Sequence, residues 1–68
     1  MTVTTESGRR LIIPAHHPVY TPLGDYREGQ EVDPVTVDVD SDRAATLRRG
    51  NRIIVDNRVE VVAQVVTA

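Results

Sequence analysis

Valine alternating with polar residues is the dominant pattern in this chain. Val35, Val37 and Val39 alternate with Thr36, Asp38 and Asp40. Residues 31–40 therefore predict a strand with one apolar and one acidic face. Pro34 fits an edge or the strand's beginning. Near the end, Val59, Val61, Ala63 and Val65 fall on one face, and Glu60, Val62, Gln64 and Val66 on the other. The second face is half apolar, so this strand is expected to be covered on both sides. In so small a molecule the second cover is expected from another chain. Arg52-Ile53-Ile54-Val55 predicts the strand before it, and Asp56-Asn57 a two-residue turn, which together make a C-terminal hairpin.

The first half of the chain is broken more often. Residues 1–7 read as an extended N-terminal arm, or as an edge strand over Thr2-Val3-Thr4-Thr5. Ser7-Gly8 signals a turn, and residues 9–13 a strand that Pro14 ends. Pro14, Pro18, Pro22, Gly24 and Gly29 leave no room for a helix across 14–30. The expectation is a long loop with a short extended piece at Val19-Tyr20-Thr21. Ser41 or Asp40 can cap a short helix at about residues 42–49, with Ala44 and Leu47 on its buried stripe. Arg48 and Arg49 suit its last turn, and Gly50 suits its end.

These elements give a mainly β fold: a small β-sandwich or barrel-like domain with one short helix and the C-terminal hairpin. Composition sharpens that picture. The 68 residues allow one small domain, 1–68, and contain no Cys, Trp or Phe and only two Tyr. Disulfides and Cys-based metal sites are excluded. Aromatic side chains, which often supply much of a small core, are nearly missing. A stable isolated monomer is therefore not expected. The longest apolar run, residues 11–15, is too short to span a bilayer.

The net charge of −2 is unevenly spread. Residues 25–42 hold seven acids against Arg27, and residues 43–58 hold five arginines against Asp56. One reading is neutralisation inside the fold. The sharper one is a contact between the acidic face of one subunit and the basic face of the next. Asp38 and Asp40 would meet Arg48, Arg49 and Arg52, and Val62 and Val66 would supply the apolar part.

Catalytic chemistry finds little to work with. His16 and His17 are adjacent, so in an extended chain they point apart, and no third His or Cys joins them. Asp38, Asp40 and Asp42 open like a calcium loop, but Arg43 and Arg49 stand where its Gly and Glu belong. Neither Ser7 nor Ser41 sits in a nucleophile motif. The expectation is a non-enzyme with no cofactor and no metal. Arg43, Arg48, Arg49, Arg52 and Arg58 could touch phosphates, but the adjoining acids and the lack of stacking aromatics disfavour nucleic acid.

Two sets of residues resemble known families. Gly8-Arg9-Arg10-Leu11-Ile12-Ile13-Pro14, Gly29-Gln30-Glu31-Val32 and Leu47-Arg48-Arg49-Gly50-Asn51-Arg52-Ile53 resemble, in order, short proteins encoded near the tail-sheath genes of Mu-like contractile-tailed phages. That family's Trp before the Arg pair is absent here, and Gly50-Asn51-Arg52 replaces its Gly-Asp-Val. Gly8 to Pro14, Leu23-Gly24 and Gly29 to Val32 also resemble AbrB-type swapped-hairpin DNA-binding domains, but without their basic helix after the proline. The first resemblance implies a structural accessory protein of a tailed-phage particle, in head, neck or tail. Such a protein would assemble in the host cytoplasm, with other virion proteins and copies of itself as partners and no membrane. The second implies a DNA-binding regulator or antitoxin.

Overall fold

The computed structural model describes residues 1–40 and 46–67, with Asp40 described in its backbone alone. The fold is mainly β. Strands β1 (Thr2–Thr5), β2 (Arg10–Ile12), β5 (Arg52–Val55) and β6 (Arg58–Val66) form a curled four-stranded sheet in the order β2-β1-β6-β5. Strands β3 (Val19–Pro22) and β4 (Val37–Asp40) form a second, two-stranded sheet, and β3 lies against β5. All strand pairs are antiparallel.

The start of the chain is neither an arm nor an edge. β1 is bonded to β2 on one side and β6 on the other. Its alternation explains why: Val3 and Thr5 are buried, at 0% and 2% exposure, while Thr2 and Thr4 are half-buried. A tight turn through Ser7-Gly8 returns the chain into β2, with Thr5 and Arg9 bonded across it and Gly8 at φ 94°. Asp56 and Asn57 both have positive φ, 51° and 64°, as a type I′ hairpin turn requires.

The core is wholly aliphatic. Val3, Ile13, Val19, Leu47, Ile53 and Val62 form one buried cluster, with Met1, Leu11, Val55 and Val65 packed against it. Val62 was expected on an outer face, available to another chain; it is instead fully buried. The cause is a bulge. Thr4 pairs with Gln64 but Thr5 pairs with Val62, so Ala63 is an extra residue in β6. Val65 beside Val3 and Val62 beside Thr5 thereby reach the same side of the sheet, which strict alternation forbids.

The expected strand over 31–40 is divided. Glu31 makes a single bridge to Arg58, Pro34–Thr36 form a 3-10 turn, and only Val37–Asp40 are strand. Asp33 sets the turn. Its Oδ1 accepts from the Val35 amide at 3.1 Å, its carbonyl accepts from Thr36, and Pro34 occupies the first turn position. Of the helix expected at 42–49, residues 42–45 lie outside the described residues. Thr46 is helical, and the chain has left the helix by Leu47. Arg48 to Asn51 is a turn closed by the Asn51 side chain, whose Oδ1 accepts from the Arg48 amide at 2.7 Å.

Candidate interaction faces

The β3–β4 hairpin turns its apolar side outward. Val19 pairs with Asp40 and Thr21 with Asp38; Tyr20 pairs with Val39 and Pro22 with Val37. Directly opposed residues share a face. Val19 and Thr21 are buried against the main sheet, so Tyr20, Pro22, Val37 and Val39 face away from it. Tyr20 is 46% and Val39 53% exposed, and Val35 of the neighbouring turn reaches 82%. The apolar side of β4 is thus the open one.

This face continues onto β5. Ile53 points into the core, so its neighbour Ile54 points out. Ile54, Tyr20, Val32, Pro34 and Val37 line a recess of about 370 Å³, with Asp56 and Asn57 at its rim. Val32, which lines it, and Val59, paired with Ile54, are buried apart from the main cluster. Residues 29–32 are bonded along β6 there: the Val59 amide donates to Gln30, and the Gly29 and Val32 amides to Val59 and Asn57.

Asp33, between the lining residues Val32 and Pro34, is exposed. Asp38, opposite Thr21, and Glu31, opposite Arg58, face the other way. Asp56 is engaged by Arg9, whose Nη2 lies 2.6 Å from its Oδ2.

A second exposed row lies on the main sheet. Thr2 pairs with both Ile12 and Val66, so the three stand side by side on the face away from Val3. Ile12 is 81% and Val66 50% exposed. The next row on that face is Arg10, Thr4 and Gln64. Arg10 is exposed and has no ion pair among the described residues.

The charged residues expected to form a contact divide into two groups. Arg52 reaches Asp25 of its own chain at 3.7 Å, and it borders a shallow cleft with Thr21, Pro22 and Gly50. Asp38 stands opposite Thr21, so the acidic strand and the arginine turn flank that one cleft. Arg48, Arg49 and Asp38 are exposed and without an ion pair among the described residues. The Asp40 side chain lies outside what is described.

One buried polar group escaped the sequence pattern. Glu60 is 6% exposed, and its Oε2 accepts from Ser7 Oγ at 2.8 Å. Ser7 Oγ also lies 2.9 Å from Thr5 Oγ1, which accepts from the Arg9 amide. The network ties the β1–β2 turn to β6. Among the described residues no group of three His, Asp or Glu is placed to hold a metal ion.

Tyr20 and Ile54 were not singled out from sequence either. The signal for Tyr20 was its place in the Val19-Tyr20-Thr21 extended piece, where Val19 and Thr21 share the opposite side. Comparison with family models, with curated proteins and with solved structures finds no match.

Proposed function

We propose that this chain is a non-enzymatic structural accessory protein of a tailed-phage particle, in head, neck or tail, working through protein–protein contacts in an oligomeric assembly. The observation that carries the assembly reading is the outward apolar side of β3–β4 with the recess beside it. Tyr20 and Val39, paired across the two strands, and Val37 beside them form an outward apolar surface next to that recess, the composition of a protein contact. An aliphatic core with both tyrosines left outside it supports the same reading. The phage setting is supported by the ordered resemblance of residues 8–55 to proteins encoded near tail-sheath genes. Quantitative mass spectrometry of purified particles, released from cells carrying the sequence, tests it. The chain is expected in a fixed ratio to the major particle proteins through successive density gradients. Its loss from the particles during purification contradicts the proposal.

A further inference from the structure

We propose that the open edge of β4 is a strand-pairing site, which takes an extended segment of a partner protein reading apolar, basic, apolar. This rests on the assembly reading and names the partner's chemistry. β4 is bonded to β3 on one side and to no strand on the other. Antiparallel pairs alternate between residues that exchange backbone hydrogen bonds and residues that do not. The Leu23 amide donates to the Thr36 carbonyl at 3.1 Å, which fixes the phase. Asp38 therefore exchanges its bonds with Thr21, and the pairs Pro22 with Val37 and Tyr20 with Val39 exchange none. Pro22, with no N–H to give, fits such a place. The backbone groups of Val37 and Val39 point instead to the outer edge, where they have no backbone partner among the described residues.

The side chains along this edge decide what an incoming strand must carry. In strand addition the backbone bonds give affinity and alternate side chains give specificity. A strand bonded to Val37 and Val39 places its intervening residue directly opposite Asp38, with Cα atoms about 4.5 Å apart. Asp38 is exposed and has no ion pair among the described residues, so Arg or Lys is the match there. The residues on either side of that cation come to lie opposite Val37 and Val39, on the outward side. They lengthen the row in which Tyr20 already stands opposite Val39. Valine or isoleucine suits both the strand and that apolar row. A second β4 does not fit. Antiparallel across a two-fold axis, with Val37 bonded to Val39 of the other copy, it sets Asp38 against Asp38, which is repulsive. None of β1 to β6 holds a cation between two apolar residues, so the segment belongs to a different protein.

The test uses the isotopically labelled full-length chain and two capped synthetic peptides, Thr-Val-Arg-Val-Thr and Thr-Val-Glu-Val-Thr. At saturation the arginine peptide is expected to slow hydrogen exchange at the Val37 and Val39 amides by at least about tenfold. The Asp38 amide, already bonded to Thr21, is expected to exchange as before. The glutamate peptide is expected to bind at least about fivefold more weakly. Asp38→Arg, at an exposed position and checked for folding by circular dichroism, is expected to reverse that preference. Unchanged exchange at Val37 and Val39 under the arginine peptide overturns the site. So does slowing confined to other amides, and so does a preference that the variant fails to reverse. Each of these leaves the assembly reading standing, which the particle measurement tests separately.

Discussion

Ser7 is where a single hydroxyl matters most. A carboxylate as buried as Glu60 needs donors to replace water, and Ser7 Oγ supplies one at 2.8 Å. Ser7→Ala removes that donor and the contact with Thr5. Hydrogen bonds to charged groups are worth about 1.5–3 kcal/mol, so the variant is expected to lose about 1–2 kcal/mol, Ser7 itself being exposed. Urea unfolding of wild type and variant measures this, and an unchanged midpoint would contradict it. His16 tests the opposite sign. It sits at φ 63° on an exposed turn, a conformation glycine adopts without strain. His16→Gly is expected to stabilise by about 0.5–1 kcal/mol, the relief of left-handed strain offset in part by glycine's entropy in the unfolded chain. A lower urea midpoint in this variant would show that His16 is held there by something besides the turn.

At the scale of elements, the bulge in β6 decides which residues form the core. Deleting Ala63 restores strict alternation, so Val62 and Val65 can no longer occupy the same side of the sheet. One of them must leave the cluster around Val3. Exposing a buried valine costs about 1.5–3 kcal/mol, and the displaced strand also pulls on Glu60. The deletion is expected to destabilise by at least about 2 kcal/mol, read as a lower melting temperature by circular dichroism. A wild-type melting curve would mean that the register does not depend on Ala63. The same bulge explains where sequence reading stopped. Alternation and turn residues revealed β2, β5, β6 and the Asp56-Asn57 turn because each is a local signal. Val62 was misplaced because a bulge is set by pairing with β1, fifty-seven or more residues away, and leaves no mark on β6 itself. Residues 31–40 held a local signal that alternation overshadowed: Asp33-Pro34 is a cap followed by a first-turn proline. The face of β4 could not be read from its pattern. Its valines alternate as expected, but which side meets the main sheet is decided by β3, where Val19 and Thr21 take the buried side.

For the whole molecule, the aliphatic core and the open apolar faces are two aspects of one economy of size. A chain of 68 residues buries only about 60% of the surface its unfolded form exposes. This one spends its few large side chains unevenly: Val3, Ile53 and Val62 are sealed in, while Ile12, Tyr20, Val35 and Val39 remain in water. Ion pairs do little to compensate, since Arg9–Asp56 and Arg52–Asp25 are both exposed, and such pairs contribute about 0–1 kcal/mol each. Under the proposed assembly role, covering the open faces with protein would supply stability that these pairs do not. Light scattering coupled to size exclusion, run on the wild-type chain over a hundredfold range of concentration, tests this most directly. The account predicts a mass above the 7.5 kDa monomer that rises with concentration, together with a melting temperature that rises alongside it. A monomer at every concentration, with one sharp melting transition that never shifts, would contradict it.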